Sequence, residues 1–278
     1  MIKGINCEIM KRHTIRQFRR RLIVSGNVLE VYEYERPVAR GLEAKRVGRS
    51  NAPFTSLEVK DENRKKTACR ARAYVRRVIN ANPQLNKFLT LTFAENCTDL
   101  YSARYEFDKF VKRIKTRFKR FQFVVVIEFQ KRGAVHFHLL CNLPYVDVNA
   151  LAAIWRHGFI KLNRIDNVDN VGAYVTKYMT KDNFDERLAG RKSYSMSKGL
   201  RKPKEYTDEK QIEEIVDNLE SVKRVYSSEF ESDYFGKISY MQIICTAPPP
   251  APNPLRKFLE RLKAFLTPLP DNTPCPFS

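Results

Sequence analysis

The pattern of apolar and polar positions predicts short strands alternating with amphipathic helices. Residues 18–35 contain two runs rich in β-branched and aromatic residues on either side of Ser25-Gly26-Asn27, a combination typical of a β-hairpin. Residues 56–80 predict a basic helix, because Pro83 follows closely and suits a helix stop. The N-terminal part of the chain is therefore predicted to be a hairpin followed by one helix.

The central block, residues 87–182, has the most regular pattern. Apolar residues recur at helical spacing between 99 and 119, whereas QFVVVIEFQ (122–130) is a short run of mainly apolar and β-branched residues. Strands are predicted at 88–93, 122–130, 134–142 and 158–163, and helices at 99–119, 147–157 and 170–182.

The pattern weakens after this block. Residues 184–205 are polar and are predicted to form a loop, and residues 207–221 are predicted to form a helix capped by Thr207. Two further strands are predicted at 222–230 and 237–246.

The composition changes sharply at Ala247. Nine of the fourteen prolines lie between 248 and 276, which indicates a flexible Pro-rich tail. Within it, residues 255–266 have the apolar stripe of a short amphipathic helix. This stripe could dock on a host protein, on a second copy or on the chain's own core, and the sequence leaves these possibilities open.

The charge balance indicates a polyanionic partner. Lys and Arg number 51 against 31 Asp and Glu, a net charge of +20, and the usual partner of such a protein is nucleic acid. The six cysteines are scattered without a close pair, which fits free thiols in a reducing cytoplasm. The N-terminus lacks an apolar signal segment and no run is long enough to cross a bilayer, so we expect a cytoplasmic protein that does not bind membranes.

The segment VVVIEFQKRGAVHFHLL contains the strongest local signal. His136 and His138 are two residues apart on a predicted strand, so both imidazoles point to one face and Phe137 points to the other. The segment Lys131-Arg132-Gly133 suits a three-residue hairpin loop with the glycine in the left-handed conformation. This register places Glu128 opposite His136, and three ligands for a metal ion then converge from two strands. The alternative is that the histidines are two polar residues on a sheet edge.

The segment YVTKYMTK carries a second cluster. Four of its side chains are spaced i, i+3, i+4 and i+7 and lie on one helical face, namely Tyr174, Lys177, Tyr178 and Lys181. A phenol attacks phosphorus once its proton is lost, and its ordinary pKa is about 10. A neighbouring ammonium favours the phenolate and neutralises phosphate charge. The alternative is a helix that packs its tyrosine rings on the sheet.

The two clusters together favour phosphoryl-transfer chemistry on DNA. Metal ligands from Glu128, His136 and His138 would polarise a phosphate, and a tyrosine would attack it, leaving a 5′-phosphotyrosine and a free 3′-OH. Open coordination positions and phosphate chemistry favour Mg²⁺ or Mn²⁺, with Zn²⁺ as the alternative.

These motifs resemble those of the HUH endonuclease superfamily, in particular its rolling-circle replication initiators. FLTLTF resembles their first motif, HFH their His-hydrophobe-His motif, and YVTKYMTK the two-tyrosine helix of phage replication proteins. GNVLEVYEYERP, the W-x-x-G-F of Trp155 to Phe159 and SKGLRKP resemble replication-associated proteins of plasmids and phages of Gram-positive bacteria. The resemblance covers roughly residues 18–205.

The resemblance implies an α+β fold with a central antiparallel β-sheet flanked by helices. It also implies an initiator that nicks single-stranded origin DNA in a bacterial host cell and later religates it. Since no GxxxxGK[ST] phosphate loop is present, we expect a host helicase and DNA polymerase as partners. The predicted units are residues 1–83 (hairpin and basic helix), 84–205 (nickase core), 206–246 (accessory helix and strands) and 247–278 (tail).

The basic helices at 60–77 and 109–120 are predicted to grip the DNA backbone through phosphate contacts. The residues assigned to this role are Arg70, Arg72, Arg76, Arg77, Lys112, Arg113 and Lys115. Three alternatives remain at this point: a relaxase or single-strand transposase with the same chemistry, a noncatalytic nucleic-acid-binding protein, and a phosphodiesterase that uses water. The origin sequence, the oligomeric state, the order in which the tyrosines act and the choice between plasmid and phage stay open.

Overall fold

The computed structural model describes residues 16–40, 57–165, 168–179, 186–188, 191–219 and 221–249. The strands in these ranges are β1 Arg16–Ser25, β2 Val28–Arg40, β3 Lys87–Leu91, β4 Phe123–Phe129, β5 Val135–Cys141, β6 Ile160–Arg164, β7 Tyr194–Met196, β8 Lys204–Tyr206, β9 Val222–Ser232 and β10 Gly236–Cys245. The α-helices are α1 Leu57–Asn80, α2 Leu100–Arg117, α3 Val148–Trp155, α4 Val171–Val175 and α5 Glu209–Asp217, and 3₁₀ segments span Thr176–Met179 and Glu186–Leu188.

The strands form two five-stranded sheets rather than one. The first sheet has the order β8-β1-β2-β10-β9 and the second has the order β6-β3-β5-β4-β7. Every pairing is antiparallel. The α+β class with antiparallel sheets and flanking helices is thus confirmed, and the single central sheet becomes two.

The second sheet is buried on both faces, which explains why its strands are nearly continuous apolar runs. One face, which includes Val125, Phe137 and Leu139, packs on α2 and α3 around Phe110 and Trp155. The opposite face packs on α1 and α4, and its core residues are Val75, Val78, Ile79, Leu85, Phe88, Val124, Val126, Leu140, Val175 and Met179.

Helix α1 connects the two sheets. Its C-terminal half lies in the core of the second sheet, and on its other side Arg76 and Arg77 bind the buried carboxylate of Glu30 on β2. The Arg77 Nε–Glu30 Oε2 distance is 2.6 Å, and the Tyr240 hydroxyl donates to Glu30 at 3.0 Å. Burial opposes ionisation of Glu30, but the hydrogen bond from Arg77 and the two positive charges outweigh it and lower its pKa. The first sheet is closed on its other face by α5, through Ile212 and Ile215.

Two predictions about local structure are corrected. Residues 184–205, predicted to be loop, contain β7 and the start of β8, two three-residue edge strands that pair with β4 and β1. Strands this short have too few residues for alternation to be visible in the sequence. The cap of α5 is Asp208 rather than Thr207, because the Asp208 carboxylate accepts the Gln211 N–H at 3.1 Å.

The pairing of β2 with β10 joins the N-terminal hairpin to the C-terminal hairpin. Residues 16–40 and 222–245, predicted to belong to separate units, therefore share one sheet. In the part of the chain that the structure describes, no helix has the length and apolar character required to cross a bilayer. The predicted tail helix at 255–266 lies outside the described residues.

Candidate active site

The β4–β5 hairpin has the register that the sequence indicated. Glu128 pairs directly with His136, so their side chains lie on the same face of the second sheet. Gly133 has φ +88°, and its N–H donates to the Gln130 carbonyl at 2.7 Å. The loop is held from outside by Arg187, whose guanidinium donates to the Gly133 carbonyl at 3.1 Å. The hairpin is thus fixed at its turn and along its strands.

The two histidines and the glutamate form a compact polar cluster on an otherwise apolar face. His138 Nε2 and Glu128 Oε2 are 2.5 Å apart, and Thr90 Oγ1 on the neighbouring strand lies 3.3 Å from His138 Nδ1. Within the described residues, Nε2 of His136 is buried and has no hydrogen-bond partner. A buried nitrogen in this state is costly unless something else binds it. The sequence did not single out Thr90, because its role depends on the pairing of β3 with β5.

The donor set of this cluster fits a divalent cation. Two imidazole nitrogens and one carboxylate are common ligands of transition metals, and the lone His136 Nε2 is available to such an ion. Burial, followed by the proximity of His138, lowers the pKa of His136, which favours the neutral imidazole that metals bind. In the described residues no group of three side chains is already arranged around a metal position, because His138 bonds to Glu128 directly. A cation would replace that hydrogen bond.

The tyrosine segment lies directly on this cluster. It begins as α4 and continues as the 3₁₀ segment Thr176–Met179, so the predicted helix at 170–182 is confirmed only to residue 179 and its last described turn is tighter than α-helical. The Tyr178 ring stacks on the His138 ring with centroids 4.2 Å apart. Tyr174 meets Tyr178 edge-on at 6.5 Å, and both rings contact Phe88. Two phenols therefore lie beside the two histidines.

The lysines of this segment are placed differently from one another. Lys177 Nζ lies 5.7 Å from the centre of the Tyr174 ring, a cation–π distance, whereas Lys181 lies outside the described residues. Burial raises the pKa of the Tyr178 phenol, and the neighbouring Tyr174 and Glu128 raise it further. The nearest groups thus hold Tyr178 as a neutral phenol, so activation of this tyrosine requires positive charge at the cluster.

Asn80, a residue that the sequence did not single out, holds the start of α4. Its side chain donates to Asn170 Oδ1 at 2.9 Å and accepts the Gly172 N–H at 2.8 Å. Asn170 is itself the N-cap of α4 and accepts the Ala173 N–H. An asparagine in the last turn of a helix gives no hint of this contact, because its partners are 90 and 92 residues away.

Gly172 lets α4 approach α1 closely. A Cβ at this position would lie 2.3 Å from the Arg76 carbonyl oxygen, a backbone atom that cannot turn away. Gly172→Ala is therefore expected to lower the free energy of unfolding by about 1–3 kcal/mol, measured by urea denaturation. Ala173→Ser, which also adds one heavy atom at the next residue, is the control. Equal stability of Gly172→Ala and the wild type would contradict this packing.

The predicted DNA-binding residues fall on both sides of the second sheet. Helix α1 lies on the face that carries the histidines, whereas α2 lies on the opposite face. Arg70 and Arg72 are exposed on α1, and Lys112 and Lys115 are exposed on α2.

Three of the predicted arginines have structural partners instead. Arg76 and Arg77 bind Glu30, and Arg113 donates to the carbonyl oxygens of Ile154 and Trp155 at the end of α3. A role of these three in binding DNA stays a prediction.

The central part of the chain matches a family of replication proteins. A family model described as "Replication-associated protein", of the ORF2 type, matches residues 86–183, about a third of the chain. The matched range begins just before β3 and contains all seven residues of the two clusters. Searches of curated proteins and of solved structures found no match. The similarity suggests a replication protein that interacts with DNA, and it falls on the part of the fold that carries the site.

Proposed function

We propose that this protein initiates rolling-circle replication by nicking single-stranded origin DNA through a tyrosine. The observation that carries the proposal is the stacking of Tyr178 on His138 at 4.2 Å, which brings together two clusters 40 residues apart in the chain. The similarity of residues 86–183 to replication-associated proteins supports the biological role.

Each residue of the site has a distinct task in this mechanism. Glu128, His136 and His138 would hold a Mg²⁺ or Mn²⁺ ion, which supplies a positive charge that polarises the scissile phosphate. The phenol of one tyrosine loses its proton and its oxygen forms a bond to phosphorus. The bond from phosphorus to the 3′ oxygen breaks, and that oxygen takes up a proton. Lys177 adds positive charge beside Tyr174.

The covalent link explains how one protein could open and close a strand. A phosphotyrosine bond conserves the energy of the broken phosphodiester, so religation needs no nucleotide cofactor. The free 3′-OH primes a polymerase, which we propose comes from the host together with a helicase. Two adjacent phenols would allow two strand transfers at one site, with one tyrosine holding the 5′ end while the other attacks the regenerated junction.

Cleavage can be tested without knowing the origin. A pool of single-stranded oligonucleotides with a random central segment is incubated with the protein and Mn²⁺, and the products are sequenced. The proposal predicts one preferred cleavage sequence, fragments whose 3′ ends a polymerase can extend, and 5′ ends held on the protein. Fragments with free 5′-phosphates would indicate a water-dependent phosphodiesterase instead, and the absence of cleavage would favour a noncatalytic binding protein.

The position of α1 predicts which basic helix contributes more to DNA binding. Arg70→Gln/Arg72→Gln should weaken binding of single-stranded DNA and lower the slope of log affinity against log salt by about 1.4, since each lost phosphate contact is worth about 0.7. Lys112→Gln/Lys115→Gln removes the same charge from the opposite face of the sheet and should change the slope less. An equal effect of the two pairs would show that DNA follows both faces.

Arg76 and Arg77 are unsuitable for this measurement. Removing either guanidinium leaves the buried Glu30 carboxylate short of a partner, and breaking a buried ion pair in this way costs about 3–5 kcal/mol. Weaker binding by such a variant would therefore report lost stability as well as lost charge.

A further inference from the structure

The first sheet has two chemically different faces. The face that packs on α5 carries the acidic side chains of Glu33, Glu229 and Glu231, as the strand register shows. The face turned toward α1 carries aromatic side chains from three adjacent strands. These are Tyr32 and Tyr34 on β2, Tyr240 on β10, and Tyr226 and Phe230 on β9.

The aromatic rings form a continuous track across the strands. Tyr226 lies 6.4 Å from Tyr240, Tyr240 lies 5.0 Å from Tyr32, and Tyr32 lies 6.4 Å from Tyr34. The inner part of the track is half-buried, but on β9 Tyr226 is 58% exposed and Phe230 is 46% exposed. Rings exposed together on one sheet face indicate a binding surface rather than a core.

The carboxylates on this face are neutralised. Glu30 is buried between Arg76 and Arg77, and Glu205 on β8 is paired with Arg21 and Arg40. The aromatic track is thus bordered by charges whose balance is positive.

Two further arginines extend this positive border. Arg224, exposed on β9, pairs with Ile244 and lies on the same face as Tyr226. On α1, Arg70 is two helical turns before Arg77 and so lies on the side that faces the first sheet.

We propose that this aromatic face binds single-stranded DNA at a second site, separate from the histidine cluster. Unpaired bases would stack on Tyr226 and Phe230, and Arg70 and Arg224 would contact the phosphates. Every base has a flat π-face, so such stacking tolerates any sequence, whereas the bases of a duplex are not available to it. The positive border favours a polyanion over an apolar protein partner. The site would hold the strand on either side of a nick without taking part in cleavage.

The test measures binding without cleavage. Fluorescence anisotropy of a labelled 20-residue oligo(dT) is recorded with EDTA present. Tyr226→Ala/Phe230→Ala should bind at least about 30-fold more weakly, because each lost stacking contact costs roughly tenfold or less. Its salt dependence should be unchanged, and its affinity for a 20-base-pair duplex should stay within about twofold. Tyr226→Phe/Phe230→Tyr, which keeps both rings, should retain most of the affinity.

A matched control comes from the other face of the same two strands. Val225 is 53% exposed and Met241 is 42% exposed, and both point toward the α5 side. Val225→Ala/Met241→Ala should leave the affinity within about twofold. Unchanged affinity of the Tyr226→Ala/Phe230→Ala variant would overturn the proposal. An equal loss for oligo(dT) and for the duplex would also overturn it, since stacking on unpaired bases cannot explain that result.

The outcome is independent of the proposed nicking activity. A protein that binds oligo(dT) through this face but never cleaves DNA would refute the nickase and leave the second site intact. A protein that cleaves DNA while its Tyr226→Ala/Phe230→Ala variant binds normally would refute the second site alone.

Discussion

Tyr174→Phe/Tyr178→Phe is expected to lose covalent attachment to DNA by at least about a thousandfold, because phenylalanine keeps the ring and removes only the attacking oxygen. Both rings contact Phe88, and Tyr178 also stacks on His138. These contacts survive the substitution, so the fold and DNA affinity should change little. The measurement is the rate of appearance of a protein–DNA species that resists SDS.

The single variants separate two mechanisms. If both phenols attack in turn, Tyr174→Phe and Tyr178→Phe should each still nick DNA but fail to release a closed circle. If one tyrosine only packs or stacks on a base, its variant should behave as the wild type in a full replication assay. Tyr194→Phe is the control, because Tyr194 is a half-buried tyrosine on the same side of the second sheet that contacts Tyr74 instead of the site. A fully active double variant would contradict a tyrosine mechanism.

Loss of either imidazole is expected to abolish cleavage while DNA binding is largely retained. His136→Ala and His138→Ala each remove one nitrogen of the donor set, and the expected loss in cleavage rate is at least about a hundredfold. Binding should persist because Lys and Arg contacts to phosphates supply most of the affinity. EDTA should have the same effect on the wild type, and Mn²⁺ should reverse it.

Two companion variants control for damage to the fold. His138→Ala also removes the ring on which Tyr178 stacks, so Glu128→Gln, which keeps the shape of the side chain and removes its charge, tests the cluster more gently. His157→Ala changes a histidine outside the cluster, which pairs with Glu106 of α2, and should cleave normally. Full cleavage by the double variant His136→Ala/His138→Ala would rule out a metal bound at this cluster.

The local elements and the register of the histidine hairpin were predictable from the sequence, because they depend on alternation and on one glycine turn. Glu128 faces His136 as the spacing required. The assembly of these elements was not predictable. The pairing of β2 with β10 connects residues about 210 apart, and no local pattern encodes it.

The surroundings of the site were also hidden in the sequence. Thr90, Phe88 and Asn80 act through contacts that only the packed structure brings together. Arg76 and Arg77 looked like DNA-binding residues on a basic helix, since their partner Glu30 lies 46 and 47 residues away. Charge patterns show which side chains are cationic but do not show which of them already have a partner.

The most direct test of the account is to locate the covalent bond. The protein is incubated with its cleaved oligonucleotide and Mn²⁺, the SDS-resistant product is digested with trypsin, and the peptide that carries the nucleotide is identified by mass spectrometry. Trypsin cuts after Lys177 and so separates Tyr174, in the peptide 165–177, from Tyr178, in the peptide 178–181. The account predicts the nucleotide on one or both of these two peptides. Cleaved DNA without any adduct, or an adduct elsewhere in the chain, would contradict it.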